Sequence, residues 1–249
     1  MKKILAAGGI VAVLLVVAVA LLWSNINTII ERGIETIGPK ILQAEVTVNK
    51  VNIEVTEGSG TINGLTIGNP KGFKTDYAFK LGSIAVALDP ASLTTDTVRI
   101  KSVVIQAPDI IYEGLTGKSN LEQLQANALA FVGGGAQKTG ATDSAGSGKK
   151  VRIDYLKIEN GNIGVSAALL QGKKLTVPLP TIELRDIGKN KDTTMADALG
   201  QVLGAINKAA LPAIQKGISA IGEGLKDAGR TLQEGAEKGF EGIKGLLGK

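Results

Sequence analysis

The sequence predicts an α+β protein with an N-terminal transmembrane helix, a curved and mostly antiparallel β-sheet, and C-terminal amphipathic helices. Three observations predict this fold class. Residues 4–23 are apolar and uncharged, residues 45–187 place apolar residues at alternate positions, and residues 194–249 return to spacings of three and four. These changes of period divide the chain into a span, a sheet and a helical tail.

Residues 4–23 are long enough to cross a bilayer, because twenty helical residues at 1.5 Å each make about 30 Å. Ala18-Val19-Ala20 fits a signal cleavage site, but the apolar run continues to Trp23, which favours an uncleaved anchor. Lys2 and Lys3 are the only charges before the span. Because positive charge stays on the cytoplasmic side, we predict a cytoplasmic tail at residues 1–3 and a single-pass topology.

The composition argues against most enzymatic chemistry. The absence of Cys and His removes thiolate nucleophiles, the commonest general base and the usual zinc ligands. We therefore expect no catalytic residue, no metal site and no cofactor. Net charge is +5, but basic and acidic residues are interspersed and aromatic residues make up only 3%, so we expect no nucleic-acid partner. Four carboxylates near strand ends are better explained as solvated turn residues than as catalytic groups: Asp89, Asp109, Asp154 and Glu159.

An amphipathic stalk helix is predicted over residues 24–38, directly after the span. Its isoleucines recur every three or four residues, and Gly38-Pro39 is expected to end it. We expect this stripe to pack on the domain that follows rather than on a lipid surface. The stripe consists of Ile26, Ile29, Ile30, Ile34 and Ile37.

Residues 45–131 form a β-rich region in which alternation predicts five strands before a helix. The strands are expected at 45–55, 59–68, 80–89, 97–106 and 109–113. Ser119 and Glu122 form an S-x-x-E capping box. This box is expected to open a helix through Leu121, Leu124, Leu129 and Phe131.

The remaining chain is predicted to hold a linker, further strands and the tail. Residues 132–150 are rich in Gly, Ser and Thr, which predicts a flexible linker. Residues 151–187 continue the sheet, with Pro178 and Pro180 placing one segment at an edge or bulge. Thr194 and Asp197 give a cap signal for the amphipathic tail of residues 194–249.

A repeat relates three of the predicted strands. They share a V-x-[VI]-x-x-[VL]-x-[IV] spacing that begins at Val46, Val98 and Val151, so the units start 52 and then 53 residues apart. The step of three within a period of two predicts a bulge at a common place in each unit. A curved, repeating sheet is therefore favoured over a closed sandwich.

Three stretches resemble the amino-terminal region of the bacterial AsmA family, a resemblance that covers roughly residues 1–187. They are the segment Gly60 to Phe73, the run from Ala91 through VRIKSVVIQAPDIIYE, and Ser119-Asn120-Leu121. The resemblance implies an inner-membrane protein with a periplasmic, curved sheet whose inner face is apolar. It also implies a link to repeating β-groove proteins thought to carry phospholipids, and to outer-membrane biogenesis, without an enzymatic site. Seven or eight strands span only about 35 to 40 Å, too short to bridge two membranes alone.

Two functional hypotheses follow. In the first, a membrane-anchored protein binds lipid on one concave aliphatic face, where an acyl chain gains about 0.8 kcal/mol per buried methylene. In the second, a structural module docks an envelope protein through its sheet edge or its C-terminal helix. That helix could equally cover the aliphatic face, which would then be a plain core. The candidate lipid-binding residues are Val98, Ile100, Val103, Ile105, Val151, Ile153, Leu156 and Ile158.

Overall fold

The computed structural model describes residues 25–114, 118–133, 149–166, 175–189 and 193–220. Within them the fold is α+β, with a curled mixed sheet and three helices. The predicted cytoplasmic tail, the predicted span at 4–23 and the last part of the tail, residues 221–249, lie outside the described residues. None of the helices in the described part of the chain combines the length and the apolar character needed to cross a membrane.

The sheet contains ten strands, and three helices accompany it. Helix α1 spans Ile26–Leu42, α2 spans Asn120–Gly133, and α3 includes residues 195–220; a short 3₁₀ helix covers Pro90–Thr94. The strands are β1 (Val46–Thr47), β2 (Lys50–Glu54), β3 (Ser59–Ile67), β4 (Phe79–Leu88), β5 (Thr97–Gln106), β6 (Asp109–Tyr112), β7 (Lys150–Glu159), β8 (Asn162–Val165), β9 (Leu175–Pro178) and β10 (Ile182–Ile187).

The ten strands lie on six adjacent lines of the sheet, which we call paths. Four of these paths consist of two successive strands. The order of paths is β1–β2, β3, β4, β5–β6, β7–β8 and β9–β10. All pairings are antiparallel except β5 with β7 and β6 with β8, which are parallel because a crossover through α2 separates them. The predicted antiparallel pairing is therefore confirmed for all neighbouring paths except β5–β6 with β7–β8.

The strand pairing is interrupted at one level across all six paths, including the continuous strands β3 and β4, and we call this level the crease. The crease consists of Asn49, Gly64, Gly82, Ala107, Asn160 and Pro180. Gly64, Ala107 and Asn160 have positive φ angles of 64°, 47° and 59°, a conformation that breaks the regular ladder. The register is unchanged across it, since the pairs 97 with 150 and 112 with 165 are both 53 residues apart. The sheet therefore bends along a line without losing its alignment.

Two of the three predicted repeat units are neighbouring strands, whereas the unit that begins at Val46 forms β1 and β2, which pair with β3. Val98 lies opposite Val151, and Ile105 lies opposite Ile158, in the parallel ladder of β5 and β7. The predicted bulge is also present in β5, where the register with β4 shifts between Ala87 and Leu88. The odd spacing from Ile100 to Val103 thus keeps both side chains on the same face.

Helix α1 covers the sheet edge formed by β1 and β2. The Val48 N–H donates to Glu35 Oε1 at 3.1 Å, and the Ile53 N–H donates to Asn27 Oδ1 at 2.8 Å. The predicted end at Gly38-Pro39 is wrong, because α1 continues through Pro39 to Leu42. Proline disrupts only the last turn there, and the burial of Leu42 and its neighbour Ile41 offsets that cost.

Helices α2 and α3 pack against each other in antiparallel orientation beneath the sheet. A Cβ on Gly200 would lie 2.7 Å from Leu129 Cδ2, and one on Gly204 would lie 2.5 Å from Gln125 Nε2, so these glycines permit the close approach. Both predicted caps are confirmed: the Glu122 N–H donates to Ser119 Oγ, and the Asp197 N–H donates to Thr194 Oγ1.

Two details of the α2 prediction are wrong. Helix α2 runs through Gly133, two residues into the predicted linker, whose residues 134–148 lie outside the described part. Leu121 and Leu124 are fully buried as expected, but Leu129 and Phe131 are 47% and 42% exposed. Helical rotation turns these two side chains away from the buried stripe, which continues through Ala128.

Candidate functional site

The eight candidate residues lie side by side on one face of β5 and β7. The parallel register aligns them in four pairs: Val98 with Val151, Ile100 with Ile153, Val103 with Leu156, and Ile105 with Ile158. The prediction that they share a face is therefore consistent with the strand pairing. Their exposure divides them into two groups.

Five of the eight residues belong to the hydrophobic core. These are Ile105, Val151, Ile153, Leu156 and Ile158, all of which are buried. They belong to the same buried cluster as Val202, Leu203 and Ile206 of α3. For these five, the alternative of a plain core beneath the C-terminal helix fits the structure best.

Val98, Ile100 and Val103 are different because they are only partly buried. The cross-strand register extends the Val103 position into a row that contains Val86, Leu156 and Leu184. The neighbouring row contains Ile62, which lies opposite Ile84. Six partly buried members of this face form what we call the aliphatic patch, and all of them except Val98 pack against the core. They are Ile62, Val86, Val98, Ile100, Val103 and Leu184.

Sequence reasoning missed three members of the aliphatic patch, namely Ile62, Val86 and Leu184. Each follows the same alternation that identified the strands on β5 and β7. The alternation of each strand was visible, but which strands become neighbours depends on long-range pairing. A search for cross-strand partners among all the predicted strands could have proposed them.

The patch belongs to one half of the sheet, on the side of the crease that contains β2, β5, β7 and β10. We call this the open half. The other half, with β1, β6, β8 and β9, is the latched half. Phe79, Ile110 and Ile163 of its apolar face are at most 1% exposed, and they belong to the same core as Leu121 and Leu124 of α2 and as the buried residues of the open half.

Each helix has a separate contact with the fold. Helix α1 begins beside β2, where Asn27 contacts Ile53, and α3 begins beside β7, where the Val151 N–H donates to the Thr193 carbonyl at 2.7 Å. Leu129, near the C-terminal end of α2, lies against Gly200 of α3. Asn127 Nδ2 of α2 donates to the Leu42 carbonyl at the C-terminal end of α1 at 2.7 Å.

The opposite face of β5 and β7 is charged. Asp154 accepts hydrogen bonds from Arg99 Nε and Arg152 Nε, each at 2.8 Å. Burial alone would raise the pKa of Asp154, but the two arginines outweigh it and lower the pKa. Only one face of this half is therefore apolar.

The remaining carboxylates near strand ends have structural partners. Asp89 Oδ1 accepts from the Ala91 N–H at 3.2 Å, and Glu159 pairs with Lys157 at 2.6 Å. Asp109 accepts from the Tyr77 hydroxyl at 2.6 Å, a bond that raises the pKa of Tyr77 to about 12. In the part of the chain that the structure describes, no three Asp or Glu residues form a group that could hold a metal ion.

Three residues of the resembling stretches, Asn69, Glu113 and Asn120, meet in the loops of the latched half. Asn120 is fully buried; its Nδ2 donates to Asn69 Oδ1 at 2.8 Å and to the Ile111 carbonyl at 2.7 Å. Its Oδ1 accepts from the Glu113 and Leu121 N–H groups, each at 3.0 Å. The Asn69 and Asn120 side chains thus fasten two loops together.

Glu113 completes this loop network. Its carboxylate accepts hydrogen bonds from the Lys74 N–H, the Thr75 N–H and the Thr75 hydroxyl, all at 2.8 or 2.9 Å. Burial would raise the pKa of Glu113, but these hydrogen bonds outweigh it and lower the pKa. Asn69, Glu113 and Asn120 therefore act as a structural fastening in this chain, whereas Ile62, Val98, Ile100 and Val103 from the same resembling stretches belong to the aliphatic patch.

Comparison of this chain with family models, curated proteins and solved structures finds no match. The resemblance to the AsmA family accordingly remains a prediction from the residues quoted above.

Proposed function

We propose that this chain is a non-enzymatic, membrane-anchored protein of the bacterial cell envelope that holds lipid acyl chains on its aliphatic patch. In this proposal the span at residues 4–23 lies in the inner membrane, with the amino terminus in the cytoplasm and the bulk of the chain in the periplasm. The binding step would serve outer-membrane biogenesis or maintenance, as the resemblance to the AsmA family implies.

The observation that carries the proposal is the contrast between two halves of one sheet. Ile62, Val86, Ile100 and Val103 in the open half pack against the core but remain partly exposed, whereas Phe79, Ile110 and Ile163 in the latched half are at most 1% exposed. A contiguous aliphatic surface in contact with water is unfavourable, and an acyl chain would recover about 25 cal/mol for each Å² it covers. Because the opposite face of β5 and β7 is charged, an acyl chain would lie on the aliphatic face only.

Photo-crosslinking can test this proposal with a matched control. Val103 and Val104 are adjacent valines, both partly exposed, but they lie on opposite faces of β5. A benzophenone amino acid placed at Val103 of the full chain in its native membrane should give phospholipid adducts after illumination. The same residue at Val104 should give few, as judged by mass spectrometry of the purified protein.

The outcomes separate the proposal from its alternatives. Equal adduct yields at the two positions, or no lipid at Val103, would contradict binding on the patch. A single protein adduct at Val103 would instead place a protein partner there.

A protein-docking function is the second candidate, and the two edges of the sheet favour it. Helix α1 covers the edge formed by β1 and β2, whereas β10 pairs within the described chain only with β7. An uncovered edge strand can accept a strand from another protein. The same crosslinker at Glu183 or Arg185, both exposed on β10, should capture that partner if this function is the correct one.

A further inference from the structure

Strand β10 is an edge strand that pairs, among the described residues, only with β7. Helix α1 covers the opposite edge of the sheet. Pro180 precedes β10 and has no N–H to donate, and Asp186 leaves the extended conformation with a φ angle of 57°. The part of this edge that can pair with another strand is therefore short, covering residues 181–185.

The backbone groups of Glu183 and Arg185 point away from β7. The Glu159 carbonyl accepts a hydrogen bond from the β5–β6 path at 2.9 Å, so the backbone of Glu159 faces β5. Because successive residues of a strand face opposite sides, Ile158 faces β10, and Ile182, which lies opposite it, faces β7. By the same alternation, Glu183 and Arg185 direct their N–H and carbonyl groups to the uncovered edge.

The side chains of this edge are complementary to a second copy of the same edge. In an antiparallel pair with a two-fold axis beside Leu184, Glu183 of each copy lies opposite Arg185 of the other. The outward-facing residues would exchange about four backbone hydrogen bonds. Moving the axis by one residue in either direction places Glu183 opposite Glu183, or Arg185 opposite Arg185, and like charges directly opposite each other are destabilising. One register therefore combines backbone pairing with opposite charges.

We infer that two copies of this chain pair through β10 in this register and form a two-fold dimer with one continuous sheet. The assembly closes at two copies, because α1 covers the other edge of each sheet. Leu184 of one copy meets Leu184 of the second copy on the aliphatic face, so the row that also contains Val103 and Leu156 continues across the axis. Such a dimer gives the protein-docking candidate a specific partner, and it forms whether or not lipid binds to the aliphatic patch.

Cysteine crosslinking can test this register, because the native chain has no cysteine. In the full chain in detergent micelles, Leu184→Cys would place two thiols in a non-hydrogen-bonded pair with Cα atoms about 4.5 Å apart, a separation that a disulfide can bridge. Mild oxidation should therefore produce a covalent dimer on a non-reducing gel. The control is Asn52→Cys, at an exposed position on the covered edge, which should stay monomeric.

Glu183→Cys and Arg185→Cys give a second test that leaves the apolar face unchanged. In the two-fold pairing, position 183 lies about 8 Å from position 183 of the second copy, which is too far for a disulfide, but only about 5.5 Å from position 185. Each variant alone should form little covalent dimer, whereas an equimolar mixture of the two should form it. Circular dichroism of each variant would verify that the fold is retained.

A charge reversal tests the pairing of opposite charges. In the Leu184→Cys background, Glu183→Arg should lower the yield of covalent dimer about tenfold, because like charges then lie opposite each other at two places. The further change Arg185→Glu should restore the yield.

No crosslinking of Leu184→Cys and none in the mixture, or equal crosslinking of Asn52→Cys, would overturn the inferred dimer. Capture of a different protein by a crosslinker at Glu183, without either disulfide, would also contradict it and would support protein docking with another partner. Lipid adducts at Val103 are measured independently, so failure of the dimer is distinguishable from failure of lipid binding.

Discussion

The latched half and the open half contain the same six strand paths, but their apolar side chains differ in exposure and their loops differ in hydrogen bonding. In the latched half, Phe79, Ile110 and Ile163 are at most 1% exposed, and Asn69, Glu113 and Asn120 fasten two loops together. In the open half, Ile100 and Val103 pack against the core but stay partly exposed.

This difference suggests separate roles for the two halves of one sheet: the latched half stabilises the fold, and the open half offers a binding surface. A buried aliphatic side chain contributes its full transfer free energy to folding, whereas a partly exposed one keeps some of that free energy for a ligand. We therefore expect the latched half to carry most of the folding free energy and the open half to tolerate substitution. Four measurements test this difference in stability between the two halves.

The largest effect is expected at Asn120. Replacing Asn120 with Ala leaves two carbonyl-type acceptors and two N–H groups in the fastened loops without their partner. Unfolding free energy should fall by about 3 kcal/mol or more, measured by chemical denaturation of the full chain in detergent micelles. Asn52→Ala, at an exposed position of β2, is the control and should change it by less than about 0.5 kcal/mol. Similar losses for both variants would show that the loop network does not stabilise the fold.

A matched pair of isoleucines tests the two halves directly. Ile163→Ala in the latched half should cost about 3 to 4 kcal/mol, because Ile163 is fully buried and a cavity would remain. Ile100→Ala in the open half should cost about 1 kcal/mol, since its partly exposed side chain loses less packing. Equal costs in the same denaturation experiment would mean that the open half is packed as tightly as the latched half.

The contribution of Glu113 to the stability of the latched half is expected to depend on pH. Because its pKa is lowered in the folded protein, the ionised carboxylate stabilises the fold above the unfolded-state pKa, and this contribution is lost as the pH falls through the lowered value. Glu113→Gln should cost about 2 kcal/mol at neutral pH. The gap between the two proteins should narrow in acid, and a gap in thermal unfolding that stays constant with pH would contradict the role of the charge.

The smallest effect is expected on the charged face of the open half. Asp154→Asn leaves Arg99 and Arg152 side by side in the parallel register without the shared carboxylate. The side chain of Arg99 is 46% exposed, so solvent screens the pair and the loss should be only about 0.5 kcal/mol. The loss should shrink in high salt, measured by thermal unfolding, and a loss that is unaffected by salt would indicate a packing effect.

Local sequence patterns predicted those features of the fold that depend on residues only a few positions apart. The capping pairs Ser119 with Glu122 and Thr194 with Asp197 satisfy helix N–H groups within one turn, so the sequence carries their whole signal. The bulge near Lys101 follows from the odd spacing between Ile100 and Val103. The predicted strand over 174–187 follows a real path, but Leu179 and Pro180 divide it at the crease.

Errors occurred where packing outweighs a local signal. Pro39 is a strong helix terminator in isolation, yet α1 passes through it because Leu42 is buried beneath the sheet. Leu129 and Phe131 satisfied an apolar pattern but are 47% and 42% exposed, although Leu129 contacts Gly200 of α3 on one side. The candidate site was recovered only in part for the same reason, since exposure distinguishes Val103 from Leu156 and the alternation does not.

The spacing of residues along the chain was enough to predict the change from strands to helices, the caps, the bulge and the alignment of Val98 with Val151. Each of these depends on side chains a few residues apart or on a repeated spacing. The folded structure was needed to show that β5 and β7 are parallel, that five of the eight candidates are buried in the core, and that Val98, Ile100 and Val103 stay partly exposed. Burial depends on which distant segments come into contact, and the period of a single strand contains no information about its neighbour.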